Sequence, residues 1–182
     1  PDSLVMAEGC QVGGSVLLRA GLVKDSDGNN RLHRFTTKHG AVSMLGAIVE
    51  GSVDLSGADL TCADILNRES LPPIGERGTY RLAAFHADGM KEKGNLRIKD
   101  NIYDHESSVN VPCHMRGRLS LRQVEVGGSF TANHLVVKEA RTLDPIFDMN
   151  GLRVDGDMEL RSARIEGGAT SMVSRFWNMC AG

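Results

Sequence analysis

Val42-Ser43-Met44-Leu45-Gly46-Ala47-Ile48-Val49-Glu50-Gly51-Ser52-Val53-Asp54-Leu55-Ser56-Gly57-Ala58-Asp59-Leu60 is the stretch that decides the fold. Its apolar residues come in pairs with one residue between them: Val42 and Met44, Ala47 and Val49, Val53 and Leu55, Ala58 and Leu60. Side chains alternate across a strand, so each pair is a minimal strand with one face turned inward. Gly46 and Gly51 fall between pairs, where the chain must bend. The second half repeats the first 11 residues later, giving a unit of 22. The i, i+3, i+4, i+7 spacing of an amphipathic helix is absent.

Working outward, the same pattern starts again at Val5, Phe85, Leu119 and Phe147. The first apolar column reads Val5, Val42, Phe85, Leu119, Phe147, and the fifth reads Val16, Val53, Leu96, Phe130, Met158. Eight such columns run through the five segments, and only Gly21, Glu92 and Asn101 interrupt them. Gly14, Gly51, Gly94, Gly128 and Gly156 form a column of their own, each followed by a small polar residue: Ser15, Ser52, Asn95, Ser129, Asp157. A second column holds Gly9, Gly46, Gly89 and Gly151, with Gln123 in the fourth place. Glycine at a fixed offset after a strand marks a backbone that a Cβ would obstruct.

Four minimal strands per unit cannot bury their apolar faces alone. Winding the chain so that each strand pairs in parallel with its counterpart one unit on solves this, with coils roughly 4.8 Å apart. The expected fold is all-β: a single-stranded right-handed parallel β-helix, or solenoid. It forms one domain over 1–182 with five 22-residue coils starting near 5, 42, 85, 119 and 147. Insertions fall at 27–41, 64–84, 107–118 and 141–146, all expected at one corner after the fourth strand. The tail 169–182 reads as a helical cap, because Met172, Phe176 and Met179 share helical spacing.

The run Val53-Asp54-Leu55-Ser56-Gly57, Ala58-Asp59-Leu60-Thr61-Cys62, Ala63-Asp64-Ile65-Leu66-Asn67 resembles the pentapeptide-repeat proteins over about one coil. That resemblance implies a four-sided right-handed β-helix, although elsewhere the spacing here is 5 + 6. The recurring hydrophobic–Gly–small-polar–hydrophobic pattern is also similar to bactofilins, the bacterial polymer-forming β-helix proteins. Either resemblance implies a bacterial origin and a non-enzymatic role. Some pentapeptide-repeat proteins bind DNA gyrase through an acidic, DNA-like surface, and a net charge of −2 argues against that here.

The same near-neutral charge gives no electrostatic reason to bind nucleic acid or an acidic lipid surface. No apolar run approaches the roughly 18 residues of a membrane span. A start at Pro1 without Met is compatible with an excised or processed product. Cys10, Cys62, Cys113 and Cys180 form no CxxC pair, which favours a reducing compartment and a cytoplasmic location.

Function is less legible. The expected role is a non-catalytic scaffold or protein-interaction module. Its partner would be another protein, or a further copy of the chain meeting it through the coil ends; nucleic acid is disfavoured. A carbohydrate-active β-helix enzyme is one alternative, and it would need clustered acids and aromatic platforms. A nucleic-acid or nucleoprotein binder is the other. It would rest on the column Arg19, Lys99, Arg161 and on the basic loop, whose Arg31, His33, Arg34, Lys38 and His39 are the candidate interaction residues. No catalytic, metal or cofactor residue is assigned. Cys113 and His114 are adjacent and do not readily face one ion. Cys10 falls in a core column, Cys62 is expected to point outward, and Glu92 and Asn101 are polar residues at interior positions.

Overall fold

The computed structural model describes residues 5–37, 42–62, 83–102, 110–138 and 146–166. Among these residues every regular element is a strand, most only two or three residues long, as the h-x-h pairs require. Each repeat unit contributes one strand to each of four five-stranded parallel sheets. Sheet 1 orders Val5–Met6, Val42–Ser43, Ala83–His86, Arg118–Ser120 and Phe147–Asp148. Sheet 2 orders Gln11–Val12, Ile48–Val49, Lys91–Glu92, Glu125–Val126 and Arg153–Val154. Sheet 3 orders Val16–Leu17, Val53–Asp54, Leu96–Arg97, Phe130–Thr131 and Met158–Glu159. The pairing Val16, Val53, Leu96, Phe130, Met158 is the column read from the sequence.

Sheet 4 departs from that reading. Its strands are Thr36–Thr37, Asp59–Thr61, His114–Arg116, Val136–Lys138 and Arg164–Glu166. Leu60 pairs with Thr37 and Met115, residues that the sequence reading placed inside the insertions 27–41 and 107–118. In unit 1 the chain instead leaves into an antiparallel hairpin, Gly21–Lys24 with Asn30–His33. In unit 3 it does the same at Asn101–Ile102 with Asn110–Val111. Two of the insertions therefore leave before the fourth strand, not after it, and the one-corner expectation is corrected. Arg118, assigned to the end of an insertion, begins a sheet 1 strand. Asn101 is no interior residue but the first of a hairpin.

The physical reason lies at the corner between sheets 3 and 4. Units 2, 4 and 5 turn it with a left-handed residue: Gly57 at φ 69°, His134 at 53° and Ser162 at 55°. Ala20 and Asp100 stand in that place in units 1 and 3 and are not left-handed, so the chain runs outward and returns at Phe35 and Cys113. Alanine has neither the bare Cα nor the short polar side chain that tolerates this region, which accounts for unit 1; Asp100 has such a side chain, and residue type does not explain the exit in unit 3.

One apolar cluster contains inward residues of all four sheets, among them Val42, Val49, Val53, Leu60, Phe85, Leu96, Met115, Leu119, Phe130 and Val137. Burying each such side chain contributes about 1.5–3 kcal/mol. With the corrected register only Glu92 and Thr37 break the inward columns. Thr37 is satisfied, since its Oγ1 accepts from the Thr61 N–H at 2.8 Å.

The two glycine columns do different work. Gly9, Gly46, Gly89 and Gly151 have positive φ, and Gln123, the fourth member, shares it at 55°. In the other column a Cβ on Gly94 would lie 2.6 Å from the Gly51 carbonyl oxygen, and one on Gly128 2.6 Å from that of Gly94. There the need is close approach between units. The Gly94 N–H donates to the Gly51 carbonyl at 3.0 Å, and the Gly128 N–H to that of Gly94 at 2.8 Å. Beside them the small polar residues form a ladder. Ser15 Oγ accepts from the Ser52 N–H, Ser52 Oγ from Asn95, Asn95 Oδ1 from Ser129, and Ser129 Oγ from Asp157.

Candidate functional site

Outward residues of a sheet normally meet water. On sheet 1 the outward column Ser43, His86, Ser120 and Asp148 is buried. The strands Ala83–His86, Arg118–Ser120 and Phe147–Asp148 place His86, Arg118, Ser120 and Asp148 there, and the turn after the first of them adds Asp88. Ser120 donates its hydroxyl to Asp88 Oδ1 at 2.6 Å, and His86 Nε2 lies 3.2 Å from Asp88 Oδ2. The Arg122 N–H also donates to Asp88, at 3.0 Å. One unit on, Arg118 donates to Asp148 at 2.7 Å, with Arg122 a further 3.7 Å partner of the same carboxylate.

Burial alone would raise the Asp88 carboxyl. The hydrogen bonds from His86, Ser120 and the Arg122 N–H outweigh it and hold the pKa below the ordinary carboxylate value. Serine, histidine and aspartate thus meet, but not as a relay. A serine nucleophile needs its proton taken by the histidine, whereas here Ser120 and His86 address separate oxygens of one carboxylate. Ser120 is 2% exposed. The arrangement crosslinks units 3, 4 and 5. A shorter version, Ser43 donating to Glu8 at 2.7 Å, ties unit 2 to unit 1. None of these residues was singled out from the sequence. The available signal was an outward column of serines, His86 and Asp148 in units 2 to 5, where units 3 to 5 of sheet 2 carry long charged outward residues: Lys91, Glu125, Arg153.

Arg31, His33 and Arg34, the candidate loop residues among those described, have different surroundings. Arg31, exposed on its hairpin strand, pairs with Asp25 at 2.7 Å. The Asp25 carboxyl is held below its usual range by the Asn29 N–H, the Asp27 N–H and Arg31. His33 is exposed at the end of the same strand. Arg34 turns inward, donating to the carbonyls of Gly57 at 2.9 Å, Ala58 at 3.3 Å and Pro112 at 2.8 Å. Lys38 and His39 lie outside the described residues, as does the tail assigned to a cap. In the column Arg19, Lys99, Arg161, two members are matched by acids: Arg19 by Asp54 at 3.4 Å and Arg161 by Glu159 at 3.6 Å.

Arg34 draws both hairpins to one corner. Between them sits the tight turn of unit 2, where a Cβ on Gly57 would meet the Ala20 Cβ at 2.9 Å and Asn101 Cβ and the Val111 carbonyl at 3.3 Å. The first hairpin projects with Leu22, Val23 and Leu32 exposed, and Leu22 pairs across to Leu32.

Cys62 is buried, contrary to the expected outward position, because the strand Asp59–Thr61 ends against unit 3, where the Cys62 N–H donates to the Arg116 carbonyl. Cys113 is fully buried in the inward column of Ala58 and Leu135, and burial pushes its thiol up to about 12. Burial, followed by the Arg34 charge, lowers the pKa of His114. Among the described residues no three His, Cys, Asp or Glu side chains gather where they could hold one metal ion. Among the same residues no helix is long and apolar enough to cross a membrane.

The class these observations define is an all-β repeat protein of stacked parallel strands, consistent with a β-solenoid. No protein-family model matches the chain, and no curated protein or solved structure matches it either.

Proposed function

We propose that the four sheets close around their common core as a right-handed parallel β-helix, four-sided as in pentapeptide-repeat proteins, and that it serves as a non-catalytic protein-interaction scaffold. One observation carries this: two antiparallel hairpins leave the same corner, in units 1 and 3, and Arg34 ties their bases together. A regular core holds irregular elements in fixed relative positions, which is how scaffolds present binding loops. A two-stranded hairpin is marginal in water. The exposed Leu22–Leu32 pair is a surface that a protein partner would cover, and the matched charges around it do not favour a polyanion.

The experiment is site-specific photocrosslinking in the source cell, with the probe at Leu22 or Leu32 and a control probe at Ile48 on sheet 2. The expected result is one discrete protein adduct from the hairpin positions, lost when the other leucine of the pair is replaced (Leu32→Asp with the probe at Leu22, Leu22→Asp with the probe at Leu32) and absent from the control. Equal, diffuse labelling at all three positions would overturn the scaffold role for this corner.

A further inference from the structure

Glu92 is the one carboxylate in the inward columns. It stands between Val49 and Val126, with Val12 and Val154 at the ends of the same ladder. The residue is 4% exposed, and neither carboxylate oxygen has a hydrogen-bond partner among the described residues. The nearest backbone donor, the Val53 N–H, is already given to the Asn95 carbonyl at 3.1 Å.

The groups that face it are few. On its own sheet the charged side chains Lys91, Glu125 and Arg153 occupy the alternate, outward positions, and Lys91 pairs with Glu125 at 3.1 Å. The neighbouring Lys93 pairs with Glu50. From sheet 3 the Arg97 charge acts on it. The other titratable groups in the core or packed against it, among the described residues, are the thiols of Cys10, Cys62 and Cys113, of which burial pushes that of Cys113 up. An ionised carboxylate in such a place is costly, and a neutral acid much less so.

We propose that Glu92 makes unit 3 a proton-controlled joint: neutral, its carboxyl packs as one more member of the valine column; ionised, it drives the Lys91–Arg97 segment open. The device goes beyond the scaffold role and does not depend on it. Opening would act next to the second hairpin, since Asn101–Ile102 follows Leu96–Arg97 directly.

Burial raises the Glu92 pKa to about 8, the Val53 N–H and Arg97 offsetting only part of the effect. The sign follows from linkage. The opened segment releases its proton near 4.5 and the closed one near 8, so closure is unpenalised below about 4.5, weakens as pH rises between the two, and is weakest above about 8. Over pH 5 to 9 the opening constant should rise on the order of several hundredfold.

Hydrogen exchange tests this on the full chain, read at Lys91, Lys93 and Gly94 and corrected for intrinsic rates. Wild type is expected to gain exchange from pH 5 to 9 at these amides and at the Val53 and Gly128 amides that donate into the segment, while the amides of units 1 and 5 change little; Glu92→Val should be flat. If Glu92→Val fails to fold, Glu92→Gln serves, because it cannot ionise. Infrared spectra at pH 7 give an independent readout: a neutral carboxylic-acid carbonyl band in wild type, absent in Glu92→Gln. The same pH dependence in wild type and variants, or no such band, overturns the proposal.

Discussion

The Arg34 guanidinium of unit 1 donates to the Pro112 carbonyl of unit 3 at 2.8 Å, reaching past unit 2, whose Gly57 and Ala58 carbonyls it also takes. One cation therefore meets three backbone oxygens, of which that of Ala58 also accepts from the His114 N–H at 2.9 Å, at a corner where two hairpins interrupt the regular turns. Its fork geometry is what allows this, and a lysine ammonium could not span the same set.

Arg34→Ala should destabilise the protein by about 2–4 kcal/mol, since charge-assisted bonds are lost and part-buried carbonyls are left unmet. Arg34→Lys should recover less than half. Denaturant titration gives the stability, and hydrogen exchange should show the loosening at Asn30–His33 and Asn110–Val111 first. Equal stability of all three proteins would show that the clasp is incidental.

The close-approach glycine column makes opposite predictions at two of its positions under one substitution. Gly94→Ala places a methyl 2.6 Å from the Gly51 carbonyl oxygen and 2.5 Å from Ser52 Oγ. Backbone cannot yield cheaply, so a loss of about 3 kcal/mol or more is expected, or failure to fold. Gly14→Ala, the same column in unit 1, meets nothing within 4 Å and should change stability by under about 0.5 kcal/mol. Thermal melts of the pair decide whether close approach between units is what this column requires.

Gln123 supplies a gain-of-stability test. It sits at φ 55° in a turn column otherwise made of Gly9, Gly46, Gly89 and Gly151. A left-handed backbone costs a residue with a Cβ about 1 kcal/mol, and glycine has no such cost. Gln123→Gly should therefore stabilise by up to about 1 kcal/mol, whereas the same change at Lys91, in a strand, should destabilise. A melting temperature that falls for Gln123→Gly would mean that the Gln123 side chain contributes more than the strain removes.

Most of the fold was legible because two signals with different causes kept one register. Inward pairs such as Val53 and Leu55 report burial, and glycines such as Gly94 report contact between units. Sheet 4 was misread where they parted company. Gly21-Leu22-Val23 and Asn101-Ile102-Tyr103 follow the third strand at the right distance, but nothing apolar marks Phe35-Thr36-Thr37 as the returning strand except a single Phe. The informative residue was Ala20, which cannot comfortably make the left-handed turn that Gly57 makes. The polar network was harder to see, because whether an outward residue such as Ser120 meets water depends on packing that periodicity does not encode. Arg34 was visible only as one charge in a basic run.

Asp88 gives that network an acid limit. Its folded pKa lies below the ordinary 3.8, because the bonds from His86, Ser120 and the Arg122 N–H outweigh burial. A depressed carboxylate contributes stability that is present above the unfolded value and is lost as pH falls through the folded one. Asp88→Asn should therefore destabilise by about 1–3 kcal/mol at pH 7, where a part-buried acceptor is replaced by a poorer one. The gap between wild type and variant should close as pH drops below 3.8. Above that value it should stay constant with respect to Asp88, so any alkaline decline belongs to another group, Glu92 first. Urea titrations of both proteins from pH 2.5 to 7 check this. A gap that stays unchanged down to pH 2.5 would mean that the carboxylate charge is not what holds Ser120 and His86 in place.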